Sequence, residues 1–499
     1  MKMHVQTIIT PVREFSQCLR QILDERKISA SELARMMAYK SRNSIFRILD
    51  GIGGQSARQA FYDRLIGEDP LGLSSEERAA LEQAMEVSRV GRHAFMSNHE
   101  MREMLMNKDE AADKRTVCLD MPPEEKDYGF RQALEEITRA RQAHIVILGC
   151  CYKEIFEAIR EQIYTVNMAG KVKVRHLIYT GEEEIVHNIA AIQPLLYCDL
   201  YTAHCVEPGL LSKEREQFYR QNSIYILMQD NSGEWYVQTL ILVDKGIFVP
   251  LSRVRMAEND RLRCYFEADL KKLPLLKTDI PGSGRLESYL NYTESCRKLE
   301  ANRTIYMIKP DIPLSCIHPD ILFPCVKEEF WQMAGEMAEA IKRELRQVHL
   351  ARWENLFDSR KTCHMILSQE AMRQFAATGR QSDHFFALRT YAKEERVRIL
   401  CQLREKIGED NGFKLYFFKE NFESPVMEIG LYEGVGTLMT KPYTHYDLAG
   451  DHAEAIITQR EFCERYKDFY VKDLLERHVV SQEETLSMIN ELIRIAENA

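Results

Sequence analysis

Nothing in this chain of 499 residues is long and apolar enough to cross a bilayer. The longest apolar runs, such as Ile145 to Leu148 and Thr239 to Val243, fall far short of the roughly 20 residues a membrane helix needs. No transmembrane segment and no membrane partner are therefore expected. The opening stretch MKMHVQTIITPVREF has one early Lys but no sustained apolar core and no small-residue cleavage site. That argues against a secretory signal and for a cytoplasmic protein. The thirteen cysteines are odd in number, dispersed and without a Cys-x-x-Cys pair, so they read as reduced thiols. Cys150-Cys151 and the spacing from Cys198 to His204-Cys205 would suit a thiol sensor or a metal, but cysteine is more commonly a small core residue. Also missing are His-Glu-x-x-His, Gly-x-Ser-x-Gly and a phosphate-cradling loop. Gly434-Val-Gly436 and Gly282-Ser-Gly284-Arg285 lack the Lys-Ser/Thr that would hold phosphate and magnesium, and read as turns. No catalytic residue, cofactor or resident metal is expected.

What is present is an ordinary globular composition, 45% hydrophobic and 29% charged. A chain of this length exceeds one core and suggests roughly three domains. Charge is uneven. Residues 1–70 hold 11 Lys or Arg against 8 Asp or Glu, about +3, whereas the chain as a whole is −9, leaving about −12 for the rest. An acidic body repels DNA, so any contact with it has to run through the N-terminal part. That is the balance of a reader attached to a sensor, not of a protein that coats nucleic acid.

The segment SASELARMMAYKSRNSIFRILDG, from Ser29 to Gly51, reads as two short helices joined by a tight turn. Ser29 and Glu32 form a capping box, and Leu33, Ala34 and Met37 give the first helix its apolar side. A second helix is predicted to begin at Ser41. Its Ile45, Ile48 and Leu49 fall at i, i+3 and i+4 and face inward, which turns Asn43 and Arg47 directly away, with Arg42, Ser44 and Phe46 flanking. Upstream, Phe15, Cys18, Leu19, Ile22 and Leu23 keep the rhythm of a supporting amphipathic helix.

These residues resemble the Cro and lambda-repressor type of helix-turn-helix, the XRE family, over roughly the first 70 residues. The shared features are Leu33-Ala34, a small turn residue at Ala38 where the family favours Gly, the inward Ile45 and Gly51. The resemblance implies a transcriptional regulator whose second helix enters the major groove of double-stranded DNA. Lys40, Ser41, Arg42, Asn43, Ser44, Phe46 and Arg47 would then be the DNA-facing set, with Arg42 or Arg47 suited to guanine and Asn43 to adenine. The rival reading is a helical hairpin that packs on the rest of the chain or docks a partner protein.

Farther along, Ser56 to Ile66 reads as a helix with Ala57, Ala60, Phe61 and Leu65 inward. Ser74 and Glu77 form a second capping box, with Leu81 and Met85 inward and Gly91 as the stop. This divides the chain into a helical domain over 1–91, a connecting helix and linker over 92–126, an α/β domain over 127–280 and a second α/β domain with long helices over 281–499. The fold class expected is multidomain α/β: an all-α helix-turn-helix domain followed by a large α/β body. In the first α/β domain, strands at His144–Leu148, Lys171–Tyr179 and Tyr201–Val206 alternate with helices, before a meander of Ser223–Met228, Trp235–Val243 and Gly246–Val249. Strand, turn, strand, turn, strand returns after the helix Glu394–Ile407, which leaves open that the body is two related units. Between them, Phe330, Met333, Met337, Ile341, Leu345 and Val348 suggest one long amphipathic helix. A C-terminal helix capped by Ser481 and Glu484 presents Leu486, Ile489, Leu492 and Ile493, a stripe suited to core or to dimer contact.

The order of helices and strands around KVKVRHLIY weakly resembles the phospholipase D-like fold, which some regulators retain as a non-catalytic sensor. Catalysis in that family needs His-x-Lys, and none of the fourteen histidines has Lys two places on. His176 and His187 could converge with Glu182 to Glu184, although a strand histidine is more often packed. The sequence therefore points to a regulator acting as a homodimer on an unidentified small-molecule or protein signal. The alternatives are a degenerate phosphodiesterase or nucleotide-handling enzyme, whose sign would be a cleft with converging carboxylates or histidines, and an interaction module.

Overall fold

The computed structural model describes residues 14–39, 42–52, 54–106, 128–149, 151–165, 172–179, 184–198, 200–220, 222–244, 247–255, 267–280, 286–310, 312–332, 335–358, 361–381, 388–408, 412–423, 425–440 and 454–499. Contacts divide the chain into two compact units, one ending at His99 and the other beginning at Glu100.

The first unit is helical: α1 Phe15–Glu25, α2 Ala30–Met36, α3 Arg42–Leu49, α4 Gln55–Glu68 and α5 Ser75–Val90, followed by α6 Arg92–Met106, which ends in the second unit. Each start has a local cause. The Glu32 amide donates to Ser29 Oγ at 3.2 Å and the Ser29 amide to Glu32 Oε2 at 3.1 Å, so both capping-box donors of α2 are satisfied. Ser74 and Glu77 repeat the device at α5, with distances of 3.1 and 2.7 Å. The Arg26 guanidinium beside Glu77 and the Ser74 amide hold that carboxyl below its ordinary range. Phe15, Leu19, Leu33, Met37, Ile45, Phe61, Leu65 and Leu81 are buried together in one core, each contributing roughly 1.5 to 3 kcal/mol by leaving water. Ala57 and Ala60, expected inward, are exposed. The inward stripe of α4 is set by Phe61 and Leu65, and its first turns run past the edge of the core.

The second unit contains two mixed sheets. In the first, β1 Gln142–Leu148, β2 Val172–Tyr179 and β3 Tyr201–Val206 are parallel, and the antiparallel meander β4 Ser223–Gln229, β5 Trp235–Asp244 and β6 Ile247–Arg255 joins on the other side of β1. The order is β3-β2-β1-β4-β5-β6. Helices α7 Tyr128–Arg139, α8 Lys153–Thr165, α9 Ile185–Leu196 and α10 Lys213–Tyr219 accompany it. Helices α8 and α9 stand between the strands where alternation was expected, and β6 runs six residues beyond the expected Val249.

The second sheet repeats that plan. After β7 Lys277–Ile280 and α11 Leu286–Glu300, the parallel strands are β8 Ile305–Lys309, β9 Cys363–Leu367 and β10 Phe413–Phe417, and the antiparallel ones are β11 Ile429–Tyr432, β12 Gly436–Thr440 and β13 Glu454–Ile457. The order is β10-β9-β8-β11-β12-β13, the same sequence of connections, with β7 added beside β13. The longer helices here are α12 Ala338–Leu356, α13 Gln369–Thr378, α14 Lys393–Gly408, α15 Arg460–Asp468 and α16 Gln482–Asn498, with a π-helix over Phe469–His478 between the last two. The segments expected as separate α/β domains thus lie in one compact unit, and β7, inside 127–280 by sequence, pairs with the second sheet. The long amphipathic helix expected from Phe330 to Val348 is broken. Gly335 takes φ 55°, separating Glu328–Gln332 from α12, and Met337 is exposed at the joint. The stripe on α16 is core: Ile489, Leu492 and Ile493 are buried with residues of α14, β9 and β10.

Candidate functional site

The turn between α2 and α3 places the polar face predicted from sequence. The Met37 amide closes the last turn of α2 on the Leu33 carbonyl at 2.9 Å, and the Tyr39 amide bonds the Ala34 carbonyl at 2.8 Å. Between them Ala38 takes φ 47°, the left-handed conformation that explains why a glycine would suit this position. Ile45, Ile48 and Leu49 of α3 are buried, while Arg42, Asn43, Ser44, Phe46 and Arg47 are exposed. Phe46 keeps 43% of its surface in solvent, a large apolar group beside two guanidinium groups. Lys40 and Ser41 lie outside the described residues. The C-terminal end of α3 is fixed from α1, where Arg20 Nε donates to the Leu49 carbonyl at 2.9 Å. Gly51 at φ 70° then turns the chain away. The arrangement is a short helix held on one side by core and on the other presenting cations, an amide, a hydroxyl and an aromatic ring to solvent. Those groups can donate to phosphates and base edges and touch a thymine methyl.

The two histidines singled out from sequence take different hydrogen-bond partners. His176 is buried on β2 with Nδ1 2.9 Å from the Tyr201 hydroxyl. His187, on α9, sits with Nδ1 3.0 Å from Glu100 Oε1, and that hydrogen bond raises its pKa against the effect of burial. Glu182 and Glu183 lie outside the described residues. Cys151, Cys198 and Cys205 are buried, and burial pushes the Cys205 thiol up to about 12, away from the thiolate that redox or metal chemistry uses. His204 Nδ1 faces the Leu273 carbonyl at 3.3 Å. Cys150 lies outside the described residues. Among the described residues no three His, Cys, Asp or Glu side chains are grouped to hold a metal ion.

One polar cluster was missed by the sequence reading. Lys309 ends β8 of the second sheet and pairs with Glu428, which stands just before β11. Arg352 of α12 holds Glu300, at the end of α11, in a two-pronged pair with contacts of 2.9 and 2.7 Å. Burial works against the Arg352 charge, and the Glu300 carboxylate more than offsets it. Glu454 begins β13, accepting from the Tyr292 hydroxyl at 2.8 Å. Burial lifts its carboxyl to about 7, against the lowering effect of that hydrogen bond. These groups line a small cavity of about 20 Å³. Carboxylates do converge here, but on a space the size of a water molecule and not on a cleft. The only sequence signal was a charged residue at the end of each short apolar run, as in IYMIK and EAII. A separate open groove of about 520 Å³ is lined by Gln369, Arg373, Lys419 and Glu484. Its cations are engaged: Lys419 Nζ donates to the Arg477 carbonyl at 2.6 Å, and Arg373 stands 3.7 Å from Glu420.

No protein-family model matches this chain, and no curated protein matches it. Among solved structures, a phosphatidylserine synthase from Haemophilus influenzae aligns with 74% of this chain and 91% of its own length at 11% identity, with a TM-score of 0.24. A superposition that loose brings neither fold nor chemistry with it. No described helix is long and apolar enough to cross a membrane.

Proposed function

We propose that this chain is a sequence-specific, DNA-binding transcriptional regulator of the Cro and lambda-repressor type, reading double-stranded DNA through α3. The observation that carries the proposal is the division of α3 into a buried Ile45, Ile48, Leu49 side and an exposed Arg42, Asn43, Ser44, Phe46, Arg47 side within the helical unit. Charge supports it, since the N-terminal 70 residues are positive in an otherwise acidic chain. The α/β body would sense a ligand or assemble a homodimer. Two copies of α3 spaced by one helical turn of DNA, about 34 Å, would read a pseudo-palindrome. On this reading the body is a non-catalytic sensor, phospholipase D-like in plan. The repeated strand order supports a duplicated α/β body, and the lack of His-x-Lys supports a non-catalytic one. A cytoplasmic setting goes with it.

The test is selection of genomic fragments by the full chain at physiological salt, followed by sequencing of what is retained. A regulator enriches a short, two-fold symmetric sequence. Retention without sequence preference, or none, removes the assignment.

A further inference from the structure

Glu454 is buried to within 3% of complete exclusion, and its Oε2 has no hydrogen-bond partner. An isolated carboxylate in that setting is costly unless something of opposite charge reaches it. The surrounding cations, Lys309 and Arg352, favour its charged form only from a distance and leave burial dominant. Arg352 is committed to Glu300 and Lys309 to Glu428, so the two pairs cancel and Glu454 is left over. Its other oxygen is occupied by Tyr292, with Thr440 Oγ1 at 3.5 Å. The cavity that Glu454 lines holds about 20 Å³, slightly more than the space one water needs.

We propose that this cavity is a binding site for a water-sized monovalent cation, ammonium or potassium, held against Glu454 Oε2. Size and charge together select that class. A water fills the space but leaves the carboxylate charge uncompensated. A divalent ion wants six or more oxygens including several carboxylates, and the described residues offer no such group. The cations already facing the space, Lys309 and Arg352, would also oppose a second unit of positive charge. Thr440 Oγ1 and Ser315 Oγ supply neutral oxygens of the kind such an ion accepts. The site also touches the first half of the body, because the hydroxyl of Tyr197, just past α9, donates to the Thr440 carbonyl at 3.2 Å. The inference is independent of the DNA-binding reading.

The test is thermal unfolding of the full chain at pH 8 in the chlorides of ammonium, potassium, sodium and choline at equal ionic strength. Ammonium or potassium should raise the transition of the α/β body by a few degrees over choline in a saturable way, and whichever does so identifies the ion. Glu454→Gln keeps the volume, removes the charge and should abolish the difference. A measurement on the unaltered chain stands beside it: cation and proton compete for one carboxylate, so the half-saturating concentration should rise roughly tenfold per pH unit below the carboxyl pKa. An unfolding midpoint that is the same in all four salts, or a cation effect indifferent to pH, overturns the proposal and leaves a proton or a water as the occupant.

Discussion

Arg20 of α1 ties down the end of α3 through Leu49: its Nε donates to the Leu49 carbonyl at 2.9 Å, and the same guanidinium pairs with Asp50. A helix end leaves carbonyls without partners, and a cation there suits the helix dipole. Arg20→Ala should therefore destabilise the helical unit. Its side chain keeps 52% exposure, so screening holds the loss to about 1 kcal/mol. Urea unfolding followed by far-UV circular dichroism measures it, and an unchanged midpoint contradicts the role.

Arg47 faces solvent, so its loss should leave stability alone and act on DNA. Arg47→Ala is expected to weaken binding to the selected site by about 1 to 3 kcal/mol. Gel shift at one fixed salt concentration measures it. Equal affinity of variant and parent would place the reading face elsewhere.

Ala38 holds a left-handed backbone that costs a non-glycine residue roughly 1 to 2 kcal/mol. Glycine removes that cost but has more freedom to lose on folding. Ala38→Gly should stabilise the helical unit by a net ~0.5 to 1 kcal/mol, seen as a higher unfolding midpoint with DNA affinity retained. A lower midpoint means the turn differs from the one described.

The Glu300 and Arg352 pair is buried at both ends. Arg352→Met strands a carboxylate in the interior and should cost about 3 to 5 kcal/mol, whereas adding Glu300→Gln in the same chain should restore much of it. Equilibrium denaturation of the two variants and the parent decides this. Additive losses would show that the residues act separately.

The pH dependence of the body should reflect two carboxyls shifted in opposite directions. Glu454 is raised to about 7, so the folded state holds its proton more tightly than the unfolded chain does. Its stabilising contribution is complete below about pH 4.5 and is lost as pH rises through 7, about 3 kcal/mol in the limit. Glu395, hydrogen-bonded by Arg389, is lowered to about 2, so its contribution is present above about pH 4.5 and fades as pH falls towards 2. In choline buffer Glu454→Gln should flatten the fall between pH 5 and 8 and leave the acid limb unchanged. A fall that persists in the variant assigns it to other groups.

Much of the helical unit was legible because its determinants are local. A capping box spans four residues, a helix face repeats every three or four, and both can be read without knowing what lies opposite. The buried and exposed sides of α3 follow from the positions of Ile45, Ile48 and Leu49 alone. The sheets are another matter. Strands β8, β9 and β13 are four or five residues long, too short to show a period, and β7 reached the second sheet by pairing with a strand more than 170 positions away.

Sequence by itself determined the elements whose energy comes from neighbours along the chain: the capped helices, the turn at Ala38 and the outward set around Arg47. Only the tertiary structure decided the repeated strand order and the charged cavity, in which Tyr292 meets Glu454 across 162 positions. Such contacts depend on burial and long-range pairing, and no stretch of the chain short enough to read alone contains both partners.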